Sequence, residues 1–265
     1  MVMRPALINV MAKAVEKAGK SLRRDFGEVE HLQISRKGPA DFVSNADLQA
    51  QKILREELGK ARPSFGFIME ENDGIADSSS CPEKWIVDPL DGTTNFLHGI
   101  PHFAISIGVE KQGEIVAGMV YNPITDEMYW AEKGIGCYCG SKRLRVSGRK
   151  DFSECLIATG LPFKGSKKND AAVMREVAGI MSQVAGIRRF GAAALDLAYV
   201  AAGRYDGYWE TGLGIYDVAG GSILVKEAGG FISPMRKGED PVKSGGMIAS
   251  NAAIHDQLVR VIRSA

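Results

Sequence analysis

The sequence predicts a mixed α and β protein in which layers of helix pack on sheet. Three observations predict it. Long segments carry apolar residues at helical spacing, short runs rich in β-branched and aromatic residues are bounded by turn residues, and the two kinds alternate after residue 155 but not before it. Strand runs that follow one another without a helix between them require part of the sheet to be antiparallel. A chain of 265 residues fits one large domain or two tightly packed halves.

In residues 6–26, Leu7, Val10, Met11, Ala14, Val15 and Ala18 recur at helical spacing, giving a buried stripe and an outer face of Lys, Arg and Glu. A second helix starts near Asn45 or Ala46, with Ser44 and Asn45 as candidate caps, and carries Leu48, Ile53, Leu54 and Leu58 inward until Gly59. Asp47 then falls in its first turn, where a carboxylate suits the helix dipole. Residues 65–68, 85–87, 103–110 and 115–121 read as short strands. Gly134, Gly136 and Gly140, followed by residues 146–152, mark a boundary between an N-terminal half, 1–148, and a C-terminal half, 149–265. A strand at 155–159 opens the second half. Helical stripes at 171–184, 192–202, 218–228 and 252–262 then alternate with strands at 187–190, 231–233 and 247–249.

Composition narrows the partners. Hydrophobic residues make up 45% and charged residues 25%, enough for a compact core. With 33 Lys plus Arg against 32 Asp plus Glu, no global field draws the protein to nucleic acid or an anionic membrane, so its partners are recognised locally. Lys13, Glu16, Lys17 and Lys20 interrupt the N-terminal apolar stretch, which is neither a signal sequence nor a membrane span, and a cytoplasmic location is expected. Cys81, Cys137, Cys139 and Cys155 fit no C-x-x-C pair and no zinc spacing, so free, reduced thiols are expected. His31, His98, His102 and His255 likewise form no metal-binding spacing.

The chemistry concentrates in Trp85-Ile86-Val87-Asp88-Pro89-Leu90-Asp91-Gly92-Thr93-Thr94-Asn95-Phe96, an apolar strand that ends by delivering two carboxylates and a Gly-Thr-Thr turn. Pro89 stiffens that turn. Gly92 permits close backbone approach and leaves amide donors for phosphate oxygens. A phosphatase that forms an aspartyl-phosphate would space nucleophile and acid as Asp-x-Asp; the spacing here is Asp-x-x-Asp, which favours ligation of a hard, oxygen-preferring cation such as magnesium. Upstream, Phe65-Gly66-Phe67-Ile68-Met69-Glu70-Glu71 is a second apolar strand ending in carboxylates. Downstream, Gly214-Ile215-Tyr216-Asp217-Val218-Ala219-Gly220-Gly221 puts an aspartate where a small-residue helix begins.

In order and spacing these segments resemble the inositol monophosphatase family, which has Glu-Glu after a strand, then Asp-Pro-x-Asp-Gly-Thr, then x-Asp-x-Ala-Gly. The likeness extends through Asp41-Phe42-Val43-Ser44-Asn45-Ala46-Asp47, Gly191-Ala192-Ala193-Ala194, Tyr208-Trp209-Glu210 and Lys226-Glu227-Ala228-Gly229-Gly230, covering most of the chain. It implies a single phosphatase domain over 1–265, of α+β or α/β class, folded as a five-layer α-β-α-β-α sandwich and commonly a homodimer. It also implies Mg2+-dependent, lithium-sensitive hydrolysis of a small phosphate monoester, foremost inositol monophosphate, by two-metal activation of water without a phosphoenzyme.

The resemblance assigns Glu70, Asp88 and the Leu90 carbonyl to one Mg2+, and Asp88, Asp91 and Asp217 to a second. Thr93 would orient the attacking water and pair with Asp47, so that Thr93, Asp47 and Glu70 form the catalytic set. The amides of Gly92 and Thr93 would bind phosphate, and Ala193, Glu210 and Asp217 would contact the substrate. Glu71 would orient ligands or water. Lys37, or a basic loop of Lys164, Lys167 and Lys168, could meet an anionic substrate. Converging carboxylates repel by about 4 kcal/mol per close pair at an effective dielectric near 20, a cost that cations offset.

Two departures stand out. Met69 and Tyr216 occupy positions where the family commonly has glycine and tryptophan, which bears on pocket shape more than on ligands. Fructose-1,6-bisphosphatase, histidinol-phosphatase and bisphosphate nucleotidase share the carboxylate pattern and are the nearest alternatives. A regulatory protein of this fold, associated with RNA or transcription, is a further alternative, opposed by the near-zero net charge and the intact ligand set.

Overall fold

The computed structural model of the chain describes residues 4–28, 34–36, 42–71, 81–162 and 170–265. Its layers follow in the order α-β-α-β-α. Helices α1 (Ala6–Phe26) and α2 (Asn45–Ala61) form the first, with a small antiparallel pair, β1 (Ile34–Arg36) and β2 (Phe42–Ser44), between them in sequence. They cover a seven-stranded sheet of β3 (Gly66–Met69), β4 (Glu83–Asp91), β5 (Ala104–Lys111), β6 (Glu114–Asn122), β7 (Glu127–Glu132), β8 (Gly136–Cys139) and β9 (Lys142–Arg143), in that spatial order. Within it β3 and β4 are parallel and every other pair is antiparallel.

Short helix α3 (Thr93–Leu97) links β4 to β5. After β10 (Leu156–Thr159), α4 (Asp170–Met181) and β11 (Gly186–Arg188) come the central helices, α5 (Ala193–Ala201) and α6 (Ile215–Glu227), separated by β12 (Gly207–Thr211). Strands β13 (Phe231–Pro234) and β14 (Gly246–Ser250) complete a five-stranded sheet in the order β11-β10-β12-β14-β13. Helix α7 (His255–Ser264) packs with α4 on its outer face.

The stripe of α1 is turned slightly from the one the sequence suggests. Ile8, Met11, Val15, Ala18 and Leu22 are buried, with Leu7 and Val10 half-buried at its edge. In α2 the buried positions are Ala46, Asp47, Ala50, Gln51, Leu54 and Leu58, and Leu48, expected inward, is 39% exposed. Two polar residues occupy that stripe, so hydrophobic spacing alone misplaces it. The central layer is close-packed by small residues: a Cβ on Gly118 of β6 would collide with the Gly220 carbonyl and come within 2.5 Å of Ile223 Cγ2 of α6. The sequence reading also missed β1, β2, β7–β9, β12 and the short helix α3, and stopped β4 short of its two aspartates. All four cysteines are free. Among the described residues no helix is long and apolar enough to cross a membrane.

Candidate active site

Strand β4 explains how two aspartates three apart come to share a face. Asp88 pairs with Ser106 of β5 and Asp91 with Ala104, so three steps along β4 match two along β5. One extra residue is a bulge, and it restores the parity that a three-residue spacing would break. Ile86 lies on the inter-sheet side while Val87 and Leu90 pack toward α1 and α2. Asp88 and Asp91 therefore face the central helices.

Those helices meet them with their N-termini. The Ala194 amide, in the first turn of α5, donates to Asp91 Oδ2 at 2.7 Å. Asp217, in the first turn of α6, accepts from the Gly214 amide at 2.6 Å through Oδ2. Asp88 Oδ1 accepts from the Leu90 amide at 2.9 Å, which fixes the bulge. Carboxylate oxygens of Asp88, Asp91 and Asp217 lie within 4.8 Å of one another. Burial, then Glu70, Asp91, Asp217 and Asp47, push the Asp88 carboxyl well above the usual range. Asp91 is pushed up by burial and then by Asp217, against the Ala194 hydrogen bond that lowers it.

A second acidic group, Asp47, Glu70 and Glu71, lies beside the first, again with oxygens within 4.8 Å of one another. Glu70 continues the parallel ladder beyond β3, its amide donating to Val87 O at 3.2 Å. Glu71 is held through its backbone, whose carbonyl accepts from Gln51 Nε2 at 2.7 Å and whose amide donates to Gln51 Oε1 at 3.1 Å. Glu70 acts on both Asp88 and Asp91, so the two groups form one electrostatic unit. Both groups offer oxygen donors alone, without histidine or cysteine. That donor chemistry suits a hard divalent cation, whose charge would offset the repulsion.

The turn after β4 is equally constrained. Gly92 has φ 94° and caps α3; a Cβ there would meet His102 O at 3.1 Å, Phe103 Cβ at 3.2 Å and Ala192 Cβ at 3.3 Å. The Thr93 hydroxyl donates to Leu90 O at 2.9 Å, the carbonyl the family resemblance assigns to a metal, and not to Asp47, the partner that resemblance expects, because the carbonyl three residues back lies within reach of the first turn of α3. Ala193 is the first residue of α5, and Glu210, on β12, makes its charge felt at Asp91. Lys37, Asp41, Lys164, Lys167, Lys168 and His31 lie outside the described residues.

Sequence reasoning missed four side chains here. Gln51 anchors Glu71. Asn95 Nδ2 donates to His102 O and Phe190 O, both at 2.7 Å, strapping the turn to the segment before α5. Tyr208 donates to Glu210 Oε2 at 3.0 Å. Asp196 of α5 is 1% exposed and is raised by burial, then by Glu210 and Asp91. The sequence signal for each was only a polar residue within an apolar stripe or next to a motif.

Comparison with known proteins gives one consistent result. The profile of the Inositol monophosphatase family matches residues 4–265. The inositol-1-monophosphatase of Rhizobium meliloti is 54% identical over 98% of this chain and 97% of its own length. The Nus factor SuhB of Pseudomonas aeruginosa is 38% identical over 97% of this chain and 96% of its own. The crystal structure of the extragenic suppressor protein suhB from Bartonella henselae matches with a TM-score of 0.93 at 52% identity, over 98% of this chain and 100% of that one.

Proposed function

Since this chain belongs to the inositol monophosphatase family, whose members are phosphatases, we propose that it is a magnesium-dependent phosphatase whose principal substrate is inositol monophosphate. The observation that carries the reading is the convergence of Asp88, Asp91 and Asp217 beside Glu70 at the N-termini of α5 and α6. Glu70, Asp88 and the Leu90 carbonyl would hold one Mg2+, and Asp88, Asp91 and Asp217 a second. When bound, the cations supply charge that polarises the phosphoryl group and acidifies an attacking water.

The protein's own groups do the positioning. Thr93 commits its hydroxyl hydrogen to Leu90 O, so it offers a water its lone pairs and turns that water by accepting from it. Asp47 and Glu70 lie together at the neighbouring acidic group, where they orient the water and take up its proton. The amides of Gly92 and Thr93 bind phosphate oxygens. Ala193 and Glu210 contact the alcohol portion, together with Asp217. No side chain needs to become phosphorylated.

Inhibition by Li+, a homodimer and a cytoplasmic location belong to the same reading. The similarity to a Nus factor raises a regulatory role, but the complete acidic set favours catalysis. The test is phosphate release from inositol 1-phosphate, fructose 1,6-bisphosphate, histidinol phosphate and adenosine 3',5'-bisphosphate, each with and without Mg2+. Metal-dependent turnover with inositol 1-phosphate preferred supports the proposal. Another preferred ester moves the chain to a sister activity, and no turnover of any ester favours the regulatory role.

A further inference from the structure

Glu210 does not stand alone on its strand. Tyr208 and Glu210 are two apart on β12 and so share a face. The fully buried Tyr208 phenol donates to Glu210 Oε2 at 3.0 Å. Burial, then the charges of Glu210 and Asp196, push that phenol well above its ordinary range, so it is a proton-bearing donor at any working pH.

The other side of the carboxylate is set by the neighbouring strand. Strands β10 and β12 run parallel, with Ala158 opposite Tyr208 and Thr159 opposite Trp209, a register that carries Gly160 to the level of Glu210. Thr159 Oγ1 donates to Trp209 O at 2.8 Å and holds that register at the last strand pair. A Cβ added at Gly160 would collide with the whole Glu210 carboxylate, Cδ and both oxygens. The carboxylate therefore rests on the bare Cα of Gly160 while Tyr208 fixes its plane. Its charge acts on both Asp91 and Asp196, the latter on α5, the helix that begins at Ala193.

We propose that Gly160 and Tyr208 are positioning residues that hold the Glu210 carboxylate as a fixed hydrogen-bond acceptor on the alcohol side of the site, and that this triad selects phosphate esters of polyhydroxy alcohols over esters of alcohols without further hydroxyls. The inference rests on the phosphatase reading above. A carboxylate has about four acceptor positions, so it can accept from Tyr208, which orients it, and accept a substrate hydroxyl as well. A site that orients an acceptor for a substrate hydroxyl discriminates against the analogue lacking that hydroxyl, because its polar group is then left without the partner it was placed for.

The experiment compares kcat and KM for inositol 1-phosphate and 4-nitrophenyl phosphate, both with Mg2+, in the unaltered protein and in Gly160→Ala, Tyr208→Phe, Glu210→Gln and the double variant Gly160→Ala/Glu210→Gln. The ratio of kcat/KM for the inositol ester to that for the nitrophenyl ester is expected to fall about tenfold in each single variant, mostly through KM, the effect of one charge-assisted hydrogen bond. The double variant is expected to fall no further than Glu210→Gln alone, since Gly160 acts only through that carboxylate. Gly160→Ala serves even where Tyr208→Phe fails to fold, because only the far end of a flexible side chain has to move; its melting temperature verifies this. Equal loss on both esters, an unchanged ratio, or additive effects in the double variant would overturn the proposal. If the unaltered protein hydrolyses both esters equally well with Mg2+, the phosphatase reading survives and the triad's role does not. If it hydrolyses neither, the phosphatase reading falls and takes the triad's role with it.

Discussion

Replacing Asp88 with asparagine is expected to make the metal-free protein more stable while removing its activity. Oxygens of Asp88, Asp91 and Asp217 lie within 4.8 Å of one another, and at an effective dielectric near 20 each fully ionised pair at that distance costs about 3.5 kcal/mol. Full ionisation of the group would consume much of a domain's stability, about 5–15 kcal/mol in total. Burial and the neighbouring charges push Asp88 and Asp91 well above the usual carboxylate range, so proton uptake relieves part of the repulsion. The asparagine keeps an Oδ1 to accept from the Leu90 amide and relieves the remainder, about 1–2 kcal/mol. At about 2–4 °C per kcal/mol for a chain of this size, the melting temperature in EDTA should rise by about 2–8 °C. Scanning calorimetry in EDTA and across a Mg2+ titration reads this directly. At 100 times Kd, Mg2+ should stabilise the unaltered protein by about 2.7 kcal/mol and the variant by clearly less. Phosphate release by the variant should drop about a hundredfold or more. A variant that melts lower in EDTA, or that gains as much from Mg2+ as the unaltered protein, would refute the charge argument.

Other substitutions probe the scaffold around that cluster. Asn95→Ala removes two part-buried hydrogen bonds, to His102 O and Phe190 O, and is expected to cost about 2–3 kcal/mol in urea unfolding and to lower kcat as the turn loosens. Gly118→Ala puts a methyl group against Gly220 and Ile223 of α6, and should lower the urea midpoint by an amount equivalent to about 1–3 kcal/mol. His255 is buried, with Nε2 and Nδ1 each 2.8 Å from a hydroxyl, of Ser233 and Ser250, and burial lowers its pKa. A depressed folded pKa contributes stability that is present above the unfolded value, about 6.5, and is lost as pH falls through the folded one. The His255 contribution should therefore decline with acidity below that pH, so the denaturant midpoint of His255→Gln should lose less on acidification than that of the unaltered protein; His102, also lowered by burial, adds to the same decline, whereas Asp88 and Asp91, raised by burial, oppose it in both proteins.

What could be read from the sequence depended on whether a residue announces itself locally. Asp88, Asp91, Gly92 and Thr93 lie in one short motif at the end of an apolar run, and Glu70 and Asp217 repeat the pattern of a carboxylate where an element ends or begins. The bulge that makes Asp88 and Asp91 neighbours is invisible, because it exists only in the pairing of β4 with β5. Gln51 was concealed by its own burial, and Asp47, legible as a first-turn carboxylate, was not read as inward: polar residues in the inward stripe of α2 broke the hydrophobic period and led to Leu48 instead. Strand β7 hid for the opposite reason, since Met128, Tyr129, Trp130 and Ala131 are all buried and show no alternation. Asn95, Gly160 and Tyr208 act through partners across strands or at segment ends, most of them distant in sequence, and carry no pattern of their own.

The position of the acidic cluster follows from the way the layers meet. Carboxylates concentrated this tightly need compensation even before any cation binds, and strand ends alone do not provide it. The central layer does: Asp91 receives an amide from the first turn of α5, and Asp217 sits in the first turn of α6, so both lie where helix dipoles present partial positive charge. Helices α5 and α6 can serve the same cluster only because they approach closely, a Cβ on Gly221 of α6 falling 2.5 Å from Leu197 Cβ of α5. The small-residue helix that reads in the sequence as mere packing material is thus what sets the spacing of the acids. Its glycines face Gly108 and Gly118 on one side and Leu197 on the other, which ties the geometry of the site to the seam between the two sheets.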